Sequence, residues 1–301
     1  YVPMKAISFG EILWDIIGDT EHIGGASLNF AAHLAKLGAE SYLVSALGND
    51  ERGEKGMTAL RKHGIKPVYI GSVGDAPTGT VTVELEAGQP SYTIHEGVAW
   101  DCIRLTEEQL TAIAGTDWDC FYFGTLAQRS EINRRTLLSL FSTVRARHRF
   151  YDINLRQRYY SREVIDRSLE QATIVKLNND ELDLVAEMFG LDGFGKSEEH
   201  MARLAEQFGL ETLIVTHGKD GVSLLSAGKL RQIPVDPVEV ADAVGAGDSF
   251  SAGFMYALSC GKDPFAAAGF GAALGSFTAA RSGGVPDYDE KIHGLFASLG
   301  A

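Results

Sequence analysis

The chain has 301 residues and is 45% apolar, enough to fill the core of one large domain or two small ones. Its 27 Lys plus Arg against 40 Asp plus Glu leave a formal charge of −13, which argues against nucleic acid as the main partner, because phosphates repel such a surface. Cys102, Cys120 and Cys260 show no Cys-x-x-Cys spacing, so neither a disulfide framework nor a zinc site is expected.

A reducing cytoplasm fits this cysteine usage, with Cys120 and Cys260 read as buried structural thiols in apolar surroundings. No basic segment leads into an apolar run at the N-terminus, and no stretch reaches ~18 consecutive apolar residues, so secretion and membrane spanning are not expected. Met4 is read as the natural start, and Tyr1-Val2-Pro3 is set aside.

In chain order, short β-branched or aromatic runs alternate with longer amphipathic stretches, the pattern of strand-helix-strand units around a parallel sheet. Strands are predicted over Ala6–Phe9, Tyr42–Ala46, Cys120–Phe123, Phe150–Ile153, Ile174–Leu177 and Leu213–Thr216. Ligands of open parallel sheets bind beyond the carboxyl ends of the strands, so Gly124-Thr125, Asn154, Asn178 and Gly218 are expected to converge on one edge. Residues 67 to 100 break the pattern. There Thr80–Leu85 and Ser91–Ile94 alternate around Gly88-Gln89-Pro90, which predicts a hairpin within a small β insertion. A two-stranded ribbon is marginal alone, so support from residues 11–23 and from a neighbour or partner subunit is expected.

Gly190–Ser197 carries the letters of a Walker A phosphate loop, but such a loop must follow a strand. The preceding Leu182, Val185, Ala186 and Phe189 fall instead at helical spacing. The segment is therefore read as a connection between two helices, with Ser197 as N-cap of the second and Glu198 and Glu199 in its first turn.

The most informative segment is Val240–Phe250. Gly245, Ala246 and Gly247 are small enough to turn backbone N–H groups toward an anion, and Phe250, Phe254, Ala257 and Leu258 continue at helical spacing. Those amides are placed at a helix N-terminus, where the dipole favours phosphate. A carboxylate beside a phosphate is repelled, so Asp248 needs a reason to be there. General-base attack of a hydroxyl on a nucleotide's terminal phosphoryl supplies one, and a helix N-cap is the structural alternative.

Asp242-x-x-Gly245-Ala246-Gly247-Asp248 resembles the C-terminal signature of the ribokinase-like (PfkB) family of small-molecule kinases. Gly24–Asn29, Asp152–Arg156, Asn178–Glu181 and Thr216–Gly221 resemble the family's other motifs in the same order, between Phe9-Gly10-Glu11 and Gly283–Pro286. The resemblance implies a single α/β domain over residues 4–301, a three-layer fold with a mainly parallel central sheet flanked by helices. A small β lid from about 11–23 and 67–100 would cover a sugar and form a homodimer contact.

It also implies a set of roles. Asp248 would be the base and Gly245, Ala246 and Gly247 the anion donors. Asn178 and Glu181 would handle Mg²⁺ and phosphate through water, with a capping box as the structural reading. Asp242 would sit by a monovalent cation such as K⁺. Thr216, Gly218 and Gly221 would approach ATP, where a plain turn between two strands is the alternative, and the helix around Ala272, Gly275 and Ser276 would line the adenine. His217 stands where the family usually has an apolar residue, and packing or solvent exposure is expected for it. Asp15, Gly25, Asn29, Asn154 and Arg156 would face the acceptor, the small Gly24-Gly25 pair allowing its close approach, with helix capping open for Asn29 and surface solvation for Arg156.

No Lys or Arg occurs in residues 11–29 or 67–101, which disfavours a phosphorylated acceptor and favours a neutral sugar. Phe123–Leu126 and Asp152–Tyr160 resemble the fructokinase branch, so fructose is the first expectation. A keto-deoxy sugar acid paired with Arg156, ribose, and a non-catalytic sugar- or nucleotide-binding regulator on the same fold are the alternatives.

Overall fold

A computed structural model describes residues 3–86, 89–191, 193 and 195–299. The chain runs β1 (Lys5–Phe9), β2 (Leu13–Ile17), β3 (Thr20–Gly24), α1 (Ala26–Lys36), β4 (Glu40–Gly48), α2 (Glu51–Lys62), β5 (Ile70–Val73), β6 (Gly79–Glu86) and β7 (Gln89–Ile94). It continues through α3 (Glu107–Ala114), β8 (Asp117–Gly124), α4 (Glu131–Thr143), β9 (Arg145–Asp152), α5 (Arg162–Gln171), β10 (Ile174–Asn178), α6 (Asn179–Met188) and α7 (Ser197–Phe208). It ends with β11 (Thr212–Thr216), β12 (Val222–Ser226), β13 (Lys229–Ile233), α8 (Ala246–Ser259), α9 (Pro264–Ala279) and α10 (Glu290–Ala297).

Among the described residues, nine strands form one sheet in the order β13-β12-β11-β10-β9-β8-β1-β4-β5. Every pairing is parallel except β11–β12 and β12–β13. Helices cover both faces, which is why the central strands read as nearly continuous apolar runs. Side chains alternate across the sheet. Phe9, Phe121, Phe123, Tyr151, Val175 and Val215 pack toward Leu137, Leu169, Leu182 and Leu204 of α4 to α7. Ala6, Cys120, Tyr122, Phe150, Ile174 and Ile214 pack the other way, onto Phe30 of α1, Phe254 of α8 and Leu274 of α9.

The register aligns the strand ends. Phe9 pairs with Phe123, Gly124 with Asp152, Asp152 with Lys176 and Asn178 with Thr216. The motifs that follow these residues therefore leave the sheet along one edge, as the strand-end argument expects.

A second sheet of four strands, β3-β2-β6-β7, projects from that edge. The alternating segments pair as antiparallel β6 and β7, and β2 joins β6 in parallel. Three sequence expectations need correction here. Residues 67–73 do not belong to this small sheet, since β5 is the last strand of the large one, pairing with β4. The turn expected at Gly88–Pro90 is shifted: Gln89 and Pro90 already pair with Glu86 and Leu85, and Gly88 lies outside the described residues. Finally, Ser197 is the first residue of α7 and Lys196 its N-cap, without a side-chain cap bond. The phosphate-loop letters do fall between two helices, although Asp192 and Phe194 lie outside the described residues.

The three cysteines are free, and Cys260 is half-buried rather than buried. Burial pushes the Cys120 thiol well above its ordinary range, which suppresses thiolate chemistry there. Among the described residues, no helix is long and apolar enough to cross a membrane.

Candidate active site

The loop entering α8 builds the cradle. Gly245 is the N-cap in a left-handed conformation, φ 76°, and a Cβ there would lie 2.5 Å from the Gly284 Cα. Only glycine meets both conditions without strain. The first amide to join the helical ladder is that of Ser249, donating to the Gly245 carbonyl at 2.9 Å. The amides of Gly247 and Asp248 precede it, in the turn where a helix leaves its N–H groups without intrahelical acceptors and its dipole favours an anion. Asp248 is therefore the third helical residue and not the N-cap, so the capping reading of Asp248 is set aside.

The Asp248 carboxylate is held from the opposite side by α1. Asn29 Nδ2 donates to Asp248 Oδ2 at 2.8 Å, and Asn29 is 3% exposed. The N-cap of α1 is Gly25, so Asn29 lies inside the helix and the capping reading falls away for it too. Asn29 Oδ1 is buried without a hydrogen-bond partner; a buried carbonyl oxygen of this kind calls for a donor. Burial raises the pKa of Asp248 to about 6, with Asp152 pushing the same way and Asn29, Lys176 and Arg156 pulling back.

Asp248 forms one wall of a cleft of about 620 Å³, which is also lined by Glu11, Asp15, Gly25, Asn29, Asp152, Asn154, Arg156, Gln157, Lys176, Gly245 and Gly247, with Val81, Tyr92 and Ile94 contributed by the small sheet. All five expected acceptor residues are thus brought together. The reason for the Gly24-Gly25 pair is different from the one expected, because the space beside them is filled by the protein. A Cβ on Gly25 would strike the Glu11 carbonyl, and one on Gly24 would come within 3.0 Å of Asp15 Oδ2. Burial raises Asp15 to about 6. Arg156 is exposed and lines the cleft, on a loop where Asn154 and Gln157 take φ of 39° and 49°. That loop is tied to the small sheet: Gln157 Nε2 donates to the Tyr92 carbonyl at 2.6 Å and the Tyr159 hydroxyl to Glu96 at 2.7 Å.

Two groups in the cleft carry charge that the sequence reading left without a role. Lys176 Nζ lies 3.0 Å from Asp152 Oδ2, the side chains being 8% and 2% exposed, and the Tyr122 hydroxyl donates to the same oxygen at 3.0 Å. A Cβ on Gly247 would lie 3.3 Å from Lys176 Nζ, so the ammonium abuts the cradle. Glu11 is 7% exposed, accepts the Ala26 amide at 2.9 Å, and is raised by burial to about 7. The signal was present: a Lys and an Asp within otherwise apolar strands are rarely buried unless paired.

Of the remaining expected residues, Asn178, Thr216 and Gly218 lie along the neighbouring strand ends, Asp242 stands in the loop before α8 and Gly275 lies on α9. Asn178 and Glu181 form a reciprocal capping box on α6, and Glu181 also accepts the Leu155 amide at 2.7 Å. Asp242 accepts the amides of Val244 at 2.9 Å and Gly283 at 3.2 Å, bracing the loop before the cradle. Thr216 ends β11, and Gly218 and Gly221 bound the short turn into β12. Gly218 has open space where a side chain would stand, whereas at Gly221 that space is taken by the Ile233 carbonyl, so close approach by a ligand is not what requires glycine at 221. His217 bonds Ser223 Oγ at 2.7 Å through Nε2. Gly275 on α9 packs toward the Ala246 carbonyl of the cradle turn.

An anion cradle at a helix N-terminus, with a held carboxylate facing a cleft under a β cover, has the parts of a phosphotransferase that acts on an alcohol. The pfkB family carbohydrate kinase model matches residues 7–291. The chain belongs to that family, and is a phosphotransferase with an alcohol group as acceptor. It is 27% identical over 263 residues to a fructokinase of Klebsiella pneumoniae, covering 83% of each chain. It is also 27% identical over 257 residues to a 2-dehydro-3-deoxygalactonokinase of Haloferax volcanii, covering 83% of this chain and 79% of the relative. The crystal structure of a fructokinase with bound ATP from Xylella fastidiosa superposes with a TM-score of 0.83 at 21% identity, covering 98% of this chain and 97% of that one.

Proposed function

We propose that the protein transfers the γ-phosphoryl group of ATP to a primary hydroxyl of a neutral free sugar, with fructose as the acceptor. The observation that carries this reading is the placement of Asp248, in the first turn of the cradle helix and lining the cleft, with its carboxylate held by Asn29 at 2.8 Å. In the proposed reaction Asp248 takes the hydroxyl proton, the hydroxyl oxygen bonds to the γ-phosphorus, and the bond to the bridging oxygen breaks to release ADP. Amides of Gly245 and Gly247 stabilise charge on the transferring oxygens, a well-aimed donor of this kind being worth ~2.7–4 kcal/mol, whereas the expected Ala246 amide donates to the Ala243 carbonyl at 3.4 Å. Lys176 supplies a fixed cation at the same place. Asp15, Gly25, Asn29 and Asn154 hold the sugar, and the lid strands exclude water that would otherwise accept the phosphoryl group.

ATP is proposed to lie along the strand ends at Asn178, Thr216, Gly218 and Gly221, with Gly275 behind its base. Among the described residues no group of three or more metal-binding side chains is assembled, and both Glu181 oxygens accept backbone amides. This donor set fits Mg²⁺ arriving on the nucleotide phosphates with its waters retained, Glu181 reaching it through water, rather than a preformed protein cage. When bound, the ion neutralises phosphate charge. Asp242, beside the cradle, is proposed to sit by a monovalent cation such as K⁺. The small sheet is proposed to pair two copies through Ile17 and Tyr92, 51% and 55% exposed, on the sheet face that also lines the cleft.

Absence of Lys and Arg from residues 11–29 and 67–101 supports an uncharged acceptor. The exposed Arg156 in the cleft supports a second reading, a keto-deoxy sugar acid whose carboxylate pairs with the guanidinium. Coupled ADP release with ATP and Mg²⁺ separates them across fructose, ribose, glucose, a keto-deoxy gluconate and fructose 6-phosphate. Highest kcat/KM for fructose is expected; preference for the acid would make Arg156 the specificity residue, and preference for the phosphorylated sugar would overturn the neutral-acceptor reading.

A further inference from the structure

We infer that His33 is a positioning residue for phosphoryl transfer, fixing the Gly284 peptide against which both the cradle and the Asn29–Asp248 pair are set. This rests on the reading of Asp248 as the base. His33 is fully buried on α1, one turn beyond Asn29. Its Nε2 lies 2.8 Å from the Gly284 carbonyl and its Nδ1 2.7 Å from the Tyr288 hydroxyl. A carbonyl oxygen can only accept, so Nε2 carries the proton, and Nδ1 of the neutral ring accepts from Tyr288. Burial lowers the His33 pKa to about 4, in keeping with a neutral ring whose tautomer is set by its two partners. Lys36 Nζ adds a second tie from the same helix to the same segment, 2.7 Å from the Pro286 carbonyl.

Gly284 is flanked closely on two sides. A Cβ on Gly284 would lie 2.9 Å from Asn29 Nδ2, and a Cβ on Gly245 would lie 2.5 Å from the Gly284 Cα. The peptide that His33 anchors thus touches the amide that holds the base and the residue that caps the cradle helix. Loss of the anchor lets Gly284 shift toward either, and a displacement of about 1 Å at reacting groups can cost ~10²-fold in rate.

The test is a series at one position, His33→Gln, His33→Asn and His33→Leu, read by steady-state kinetics on the preferred sugar and by Tm. The Gln amide nitrogen replaces Nε2 and keeps the Gly284 bond, whereas Asn reaches only as far as Nδ1 and Leu makes neither bond. The Gln variant is expected to keep kcat within about threefold, and the Asn and Leu variants to lose ~30-fold or more in kcat with KM for sugar and ATP within about threefold. Equal kcat in the Asn and Gln variants, with losses confined to Tm, would overturn the inference. If the Leu and Asn proteins do not fold, Gly284→Ala decides, since its methyl presses on Asn29 while His33 stays intact: a fall in kcat is expected, and an unchanged kcat overturns the proposal. The base assignment fails separately, on activity of Asp248→Asn, while this series stands or falls on the ratio of its Gln and Asn members.

Discussion

Replacing Lys176 with Met should act on stability and on the pH profile at once. The ammonium lies 3.0 Å from Asp152, and both side chains are nearly inaccessible, at 8% and 2% exposure. Removing one partner of a buried pair leaves the other as an uncompensated charge, which typically costs ~3–5 kcal/mol. The Tyr122 hydroxyl still donates to Asp152, so the lower end of that range is expected. For a chain of this size each kcal/mol moves Tm by about 2 °C, which gives a loss of roughly 6 °C or more. The second effect falls on Asp248, whose pKa of about 6 is held down in part by Lys176. Without that positive charge the carboxylate is harder to ionise, its pKa rises, and the acid limb of kcat/KM moves to higher pH. Thermal unfolding and a pH series of coupled ADP release measure the two effects on one preparation. A Tm within about 2 °C of the parent's would refute the buried-pair argument, and an acid limb that stayed in place or moved to lower pH would refute the electrostatic one.

Three further outcomes are expected. Glu11, raised to about 7, and Asp15 and Asp248, raised to about 6, hold protons in the folded state that the unfolded chain has released, so they lower stability as pH rises from about 4 to 7. Glu11→Gln, which still accepts the Ala26 amide, should raise Tm at pH 8 with little effect at pH 4, the shift to about 7 setting an upper bound of roughly 3 kcal/mol; equal Tm differences at both pH values would count against it. Gly245→Ala forces an L side chain into φ 76° and against Gly284, adding ~1–2 kcal/mol of backbone strain to ~1–3 kcal/mol of overpacking, so both Tm and kcat should fall; a variant with parental kcat would mean that the cradle tolerates displacement. Lys196→Ala should leave turnover within about twofold, because Lys196 only precedes α7; a hundredfold loss would return the phosphate-loop reading to consideration.

What the residues revealed follows from range. The central strands and the cradle are local patterns, one of apolar alternation and one of small residues opening a helix, and both stand where their sequence places them. Boundaries suffered where pairing partners decide them: β5 joins the large sheet because β4 offers it an edge, which nothing within residues 67–73 announces. Roles suffered where contacts are long-range. Asn29 and Asp248 are 219 residues apart, and the choice between capping and chemistry for each depended on knowing which helix position it occupied. Lys176 and Asp152 sit on neighbouring strands, so their pairing emerges only from the β9–β10 register. Gly25 and Gly221 were read as room for ligands because a sequence shows that a side chain is missing, not what fills the gap.

The central claim is that Asp248 removes the acceptor proton, and Asp248→Asn tests it most directly, since the amide keeps the size of the side chain and removes its basicity. Turnover of the preferred sugar should fall by ~10²-fold or more, while calorimetric titration shows sugar and ATP still binding within a few-fold of the parent. Turnover near the parental rate in that variant would contradict the assignment.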